Sequence, residues 1–394
     1  MNTVTRNALL IIVVALIVAS IVFLESQKVR MLGPVAGASD AIDLNALVAT
    51  STSVAGSGQV ATTTPPRTPD FAERLKQYPV AKELVSPDAY INTPNGEPIT
   101  IKSLIGKKVI LLDFWTYSCI NCERTIPYLN AWYAKYKDAG FEIVGVHSPE
   151  FAFEKKLENV QAAVKRFGIQ YPVILDSGMQ TWNAYQNQYW PEHYLIDING
   201  FVVDRHIGEG GYKETEEQIQ KLLTERKLAI GSTVPISTGI VDITQVIQSN
   251  SPETYFGSWR NEYLANGVQR RPGVQTLARP ADGSIERNQL YLAGAWDLKD
   301  QYATNQTADA RIIYKYNSKS VYFVASAASS VQITVLRDGV PVGAQRGEDV
   351  DVSGNAIIKE ARLYKLISEK EMSTHTLEII IKNPGLDAYT FTFG

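Results

Sequence analysis

The chain reads as an α/β fold on a mixed sheet plus an all-β antiparallel sandwich, jelly-roll-like, preceded by one N-terminal transmembrane helix. Three observations predict this order. Residues 8–24 are an unbroken apolar run apart from Ser20. Strand-like and helix-like segments alternate from 72 to 227. Short alternating apolar runs separated by Asp-Gly and Pro-Gly turns fill the chain after 251.

The whole chain is long for a single core, at 394 residues. Its 45% hydrophobic and 20% charged residues describe ordinary globular domains. A net charge of −3 gives no basis for binding nucleic acid. With only two cysteines the scaffold is held by cores rather than disulfide staples.

Residues 1–30 are expected to be an anchor or signal segment. As a helix, Ala8 to Leu24 spans about 26 Å, against a hydrocarbon core of about 30 Å. Its flanks, with Arg6 before and Glu25, Lys28 and Arg30 after, can snorkel to the interface. The nearest small-residue cleavage pattern, Ala36-Gly-Ala38, lies well past the run, so an uncleaved anchor is favoured over a cleaved signal peptide. Residues 31–71, rich in Ala, Ser, Thr, Gly and Pro, read as a flexible stalk.

Within 72–227, Val109 to Phe114 is a buried strand and Ile120 to Ala139 a helix, kinked at Pro127. Phe141 to Val146 is the next strand, and Glu154 to Phe167 an amphipathic helix. Val173 to Leu175 is short. Tyr194 to Asp197 and Phe201 to His206 flank Ile198-Asn-Gly200 as a hairpin, and Glu214 to Arg226 closes the unit. Residues 228–250 form a connector. In the sandwich, 251–394, the strands are Arg311 to Tyr316, Val321 to Ala325, Val331 to Leu336, Leu363 to Ile367, Leu377 to Ile381 and Tyr389 to Phe393.

Both cysteines lie in Asp113-Phe-Trp-Thr-Tyr-Ser-Cys119-Ile-Asn-Cys122, where a buried strand gives way to a helix. That is the layout of a thiol–disulfide exchange site. The attacking species is a thiolate, which the unpaired N–H groups and dipole of a helix N-terminus favour at Cys119. Cys122, one turn on, can reach back to resolve a mixed disulfide. A zinc site needs about four ligands, and His147, His193, His206 and His375 are the only histidines beside the pair. A copper-type site using the pair and one histidine remains as the metal alternative; no cofactor is expected.

Asp113-Phe-Trp-x-x-x-Cys119-x-x-Cys122, with Pro127 following, resembles the active-site strand and helix of thioredoxins. The longer text resembles the extracytoplasmic thioredoxin-like portion of DipZ-type proteins, relatives of the TlpA and AhpC/TSA groups. It comprises Phe114 to Leu129, Val144 to Glu154, Tyr189-Trp-Pro-Glu-His-Tyr-Leu-Ile-Asp197 and Gly208-Glu-Gly210. Ser251 to Gly394 resembles the carbohydrate-binding-module-like domain that follows in that family. The resemblance implies a thioredoxin-like fold and a redox-active disulfide at Cys119 and Cys122. It implies that Asp113 is a buried acid exchanging a proton with Cys122, and that Pro191 is a cis-proline facing the cysteines. Trp115 and Trp190 would line the same substrate surface. A bland alternative pairs Asp113 with Lys107 or Lys108.

The expected activity is therefore a membrane-anchored, extracytoplasmic thiol:disulfide oxidoreductase acting reductively on disulfide-containing envelope proteins. DipZ-type proteins carry a multi-span electron-delivering domain; a single span in its place leaves the electrons to a separate membrane donor. A thiol peroxidase is the alternative, since Thr116 stands three residues before Cys119, although Leu112 occupies the proline position of the peroxidatic pattern. In the tail, Tyr255, Trp259, Tyr291 and Trp296 are candidates for stacking on an envelope glycan.

Overall fold

The computed structural model describes residues 71–243 and 249–394. The expected span at Ala8–Leu24 and nearly all of the stalk lie outside them. Among the described residues no helix is long and apolar enough to cross a membrane.

The α/β part runs α1 (Phe71–Gln77), β1 (Ala89–Ile91), α2 (Ile101–Leu104), β2 (Val109–Trp115), α3 (Ile120–Tyr136), β3 (Phe141–His147), α4 (Leu157–Arg166), β4 (Val173–Leu175), α5 (Gln180–Ala184), β5 (Glu192–Ile196), β6 (Val202–Ile207) and α6 (Tyr212–Ile230). The strands form one six-stranded sheet in the order β1-β4-β3-β2-β5-β6. β2 pairs parallel with β3 and antiparallel with β5. All seven residues of β2 are buried, as its continuous apolar text requires of a strand covered on both faces. Val109, Leu111 and Trp115 pack with residues of α3 and α6 on one face. Ile110, Leu112 and Phe114 pack with Trp182, Tyr185 and the segment holding Ala81 and Leu84 on the other.

Several bounds differ from expectation. α3 continues past Pro127 to Tyr136 and ends in a 3-10 turn, Lys137–Ala139. Gly140, at φ +95°, then turns the chain into β3, a conformation that a side chain would strain. The helix expected from Glu154 begins only at Leu157, because Ala152–Lys155 form a separate 3-10 turn. Glu154 is turned inward there, and its carboxylate accepts the N–H groups of Glu150 and Phe151 at 2.7 and 2.8 Å. The closing helix is longer than predicted and runs past 227 to Ile230, where Gly231 ends it at φ +66°.

The β part comprises β7 (Thr254–Tyr255), β8 (Gly273–Leu277), β9 (Leu290–Leu298), β10 (Ala303–Asn305), β11 (Ala310–Ala327), β12 (Val331–Arg337), β13 (Val340–Pro341), β14 (Asn355–Ile358), β15 (Arg362–Ile381) and β16 (Leu386–Phe393). Every pairing is antiparallel. Two discrete sheets were expected; the strands instead form one continuous, barrel-like sheet. The reason lies in two long strands. The polar stretches at 317–320 and 368–376 read as breaks, yet β11 and β15 run through them for 18 and 20 residues. Register shifts between Ser318 and Ser320 bend β11. Its first half pairs with β9 and its second half with β16, while β10 links β16 back to β9, which closes the ring.

The two parts share apolar packing. Val324, Leu363 and Tyr389 of the β part belong to the same buried cluster as Trp115, Ile120, Cys122 and Phe151.

Candidate active site

Cys119 is the N-cap of α3, and its sulfur accepts the Cys122 N–H at 3.3 Å. Apolar β2 ends directly beneath it, so the helix N-terminus is aimed at the point where the chain leaves the sheet. Cys119 is half-buried and Cys122 buried; both are free thiols. Burial, the hydrogen bond to Cys119 and the neighbouring Cys119 and Asp113 charges push the Cys122 thiol well above its ordinary range. The pair is thus asymmetric: one sulfur reachable and faced by an N–H donor, the other covered and held as a thiol.

The Trp190–Pro191 peptide is cis. The Trp190 carbonyl lies 3.7 Å from Cys119 Sγ. Trp190 is half-buried, its Nε1 donates to the Ser148 carbonyl at 2.9 Å, and its ring leans on Trp182 at 4.3 Å. The Gly208-Glu-Gly210 turn braces this arrangement from two sides. The Gly208 N–H donates to the Pro191 carbonyl at 2.8 Å. Glu209 takes a bidentate pair of 2.8 Å bonds from Arg124 of α3. The glycines and Arg124 were part of recognisable text, but their joint role depends on a contact across 85 residues.

Trp115 does not line the substrate surface, contrary to what the resemblance implies: it is fully buried, packed edge-on against His147 at 5.1 Å and against Phe167. A covered indole on β2 fills the core beside Gly145, where an added Cβ would come within 3.0 Å of its Nε1. His147 is also buried, and desolvation lowers its pKa to about 3, so the imidazole is neutral.

Asp113 is buried on β2, and neither expected lysine meets it. Lys107 donates to the Ser103 carbonyl, and Lys108 lies 3.6 Å from Glu142. The partner is His193, directly opposite in the β2–β5 register, with Nε2 3.1 Å from Asp113 Oδ1. The contact is close in distance but outside hydrogen-bond geometry. Sequence text could not find it, because only the strand pairing puts the two side chains together.

Glu154 is the other residue that spacing did not single out. It is fully buried and accepts the Ser118 hydroxyl at 2.5 Å, one residue before Cys119. Burial, with Glu150 adding to it, raises its pKa to about 7 against hydrogen bonds that lower it. Thr116, the peroxidatic candidate, is buried with its hydroxyl 3.5 Å from His147 Nε2. Among the described residues no group of three or more His, Cys, Asp or Glu side chains could hold a metal ion.

The AhpC/TSA family matches residues 84–205, and the family described as "Thioredoxin like C-terminal domain" matches 251–394. The thiol-disulfide oxidoreductase ResA of Bacillus cereus is 34% identical over 152 residues, which is 39% of this chain and 83% of ResA. The chain belongs to the thioredoxin-like redoxin family. This redoxin is also 37% identical over 325 residues to protein DipZ of Mycobacterium tuberculosis, covering 82% of the chain. It spans only 44% of the length of that relative. A solved thioredoxin-like protein in its oxidized form is 28% identical, covering 38% of this redoxin and 98% of that chain with a TM-score of 0.35.

Three of the four aromatics put forward for glycan stacking are unavailable. Trp296 is fully buried, and Tyr291 is buried and bonds to the Ser284 carbonyl at 3.2 Å. Tyr255 lies under the Arg260 guanidinium, 3.6 Å from the ring centre, and donates to Glu150. Trp259 alone is open, at 59% exposure, over a hollow of about 440 Å³ lined by Asp297, Asp300 and Tyr302.

Proposed function

We propose that this redoxin is a membrane-anchored, extracytoplasmic enzyme that reduces disulfides of envelope proteins, with electrons returned by a separate membrane donor. The observation that carries the reading is the asymmetry of the pair. Cys119 attacks a substrate disulfide, and the mixed disulfide holds the substrate against the Trp190 carbonyl and Pro191. Cys122 then loses its proton to Asp113 and attacks Cys119 Sγ. The Cys119–Cys122 disulfide forms, the substrate sulfur leaves with the electron pair, and two electrons have passed to the substrate. The raised Cys122 thiol supports the reductive direction, since a pair whose reduced form is strongly stabilised is oxidising. The anchor and location rest on the apolar run at 8–24 and the stalk after it. A peroxidase has less support, because the Thr116 hydroxyl is buried against His147.

The test is trapping. Cys122→Ser in exporting cells accumulates mixed disulfides with envelope proteins through Cys119, and Cys119→Ser in the same background removes them. Absence of adducts sinks the protein-substrate reading. A reduction potential near that of thioredoxin, about −270 mV, is expected; one near −120 mV would make the redoxin an oxidant. A second reading, that the β part binds envelope glycan, rests on the open Trp259; Trp259→Ala should then abolish retention on envelope polysaccharide while thiol activity is unchanged.

A further inference from the structure

Asp113 has to exchange its proton with solvent from a fully covered position. Across the sheet, one register level carries a row of polar side chains from the core to its edge. Asp113 on β2 faces His193 on β5, and His193 faces His206 on β6. The first pair is 3.1 Å apart. The two imidazoles are stacked with ring centres 6.1 Å apart. His193 is buried, and neither of its nitrogens has a hydrogen-bond partner. His206 Nε2 is likewise covered and unpartnered, although the His206 ring as a whole is half-buried at the edge strand. Unpaired ring nitrogens on facing imidazoles cost free energy unless something bridges them. A water bridging the two rings would give each a partner.

The row is a built feature rather than leftover core. His193 stands where the alternation of β5 otherwise supplies apolar side chains to this face, as Leu195 does. Gly211, before α6, leaves room for the outer ring: an added Cβ would sit 2.6 Å from His206 Cε1. Other titratable groups frame the row without interrupting it. Cys122 of α3 and Tyr171 are electrostatic neighbours of Asp113. His206 feels burial first, then His193, Asp204 and Glu214 of α6.

We propose that His193 and His206 form a proton relay that connects Asp113, and through it the Cys122 thiol, to solvent at the β6 edge. This deepens the function proposed above and rests on Asp113 as the proton partner. When Cys122 attacks the mixed disulfide, its proton passes to the Asp113 carboxylate, from Asp113 to His193, and through a bridging water to His206 and bulk solvent. No electrons travel by this route, and the proton runs inward when the disulfide is reduced again.

The experiment uses the full chain and the aromatic disulfide DTNB. Attack by Cys119 releases a first coloured thiolate, and resolution by Cys122 releases a second. In the wild type the second release rises with pH, because the relay keeps Cys122 in contact with bulk protons. His193→Phe should slow the second release about tenfold, flatten its pH profile and leave the first release unchanged. His206→Ala, at the edge where folding is least at risk, should slow it similarly, with free imidazole in the buffer restoring the rate. If His206→Ala keeps the wild-type rate and pH profile, or imidazole fails to rescue a slowed variant, the relay is wrong. Asp113→Asn separates the two layers. If it leaves the second release untouched, Asp113 is not the proton partner; if it slows that release while both histidine variants do not, only the relay falls.

Discussion

At the scale of single residues, Glu154 carries a pH signature. Its carboxyl is fully buried and titrates near 7 in the folded chain, against an ordinary value of 4.5. The folded state therefore holds this proton more tightly than the unfolded state, and the unfolded state binds fewer protons between those values. Stability contributed by the protonated form is complete below about pH 4.5 and is lost as pH rises through about 7. The loss is at most about 3–4 kcal/mol, at roughly 1.4 kcal/mol per pH unit. Thermal melting of Glu154→Gln should show a flatter pH dependence across that window than the wild type. The sequence could point to Cys119, Cys122, Asp113 and Pro191 as candidates because they stand in one strand-to-helix motif and one Trp-Pro motif. His193 and Glu154 were not, since each acts on a residue far away in sequence: Glu154 meets Ser118 across 36 positions. Trp115 was misread because alternation says which face a residue takes, not what covers that face.

Among elements, α3 and α6 are locked by one buried carboxylate. Glu216 of α6 is fully covered and accepts Lys135 Nζ and Tyr136 Oη of α3, both at 2.7 Å. It also accepts the Val241 N–H from the connector at 2.6 Å. Burial pushes Glu216 up, but these hydrogen bonds outweigh it and hold the carboxyl below its usual value. Glu216→Ala leaves the Tyr136 hydroxyl and the Val241 N–H without their acceptor and Lys135 with the Gly239 carbonyl alone, and should cost on the order of 2–3 kcal/mol. Hydrogen exchange should locate the loosening in residues 232–243 as well as in the two helices. Element positions were readable wherever an apolar period was unbroken, as in β2 and β3. They slipped where side-chain bonds decided the ends. Nothing in local composition distinguishes the 3-10 turn at Ala152–Lys155 from the first turn of a helix, and only the inward Glu154 does.

Across the whole molecule, the α/β and β parts meet at the loop that leads from β3 to α4. Tyr389 of β16 packs edge-on against Phe151 and Phe153 at 5.1 and 4.7 Å. Arg260 and Tyr255 both bond to Glu150. Gln301 accepts the Ala152 N–H at 2.9 Å. The same loop carries Glu154, so the β part presses on the segment that bonds the residue before Cys119. Tyr389→Ala removes the aromatic centre of the contact, at a cost of about 3–5 kcal/mol. Scanning calorimetry should show one unfolding transition for the wild type and two for that variant, with the cysteine-bearing part melting first. One transition at an unchanged temperature would mean that the parts do not stabilise each other.

The amino-acid order by itself marked the candidate site of this redoxin: two cysteines at a strand-to-helix junction, an acid on the strand and a Trp-Pro text further on. It also determined the alternation of strands and helices and the antiparallel character of the tail, since these follow from local period and turn residues. Tertiary structure decided the rest. It closed the tail into one barrel-like sheet by bending β11 and β15, buried Trp115, and left Trp259 as the only open aromatic of its group. Strand register set His193 and His206 in line with Asp113. The physical reason is the same in each case: burial, register and desolvation depend on which distant segment arrives, and no local pattern specifies the arriving side chain.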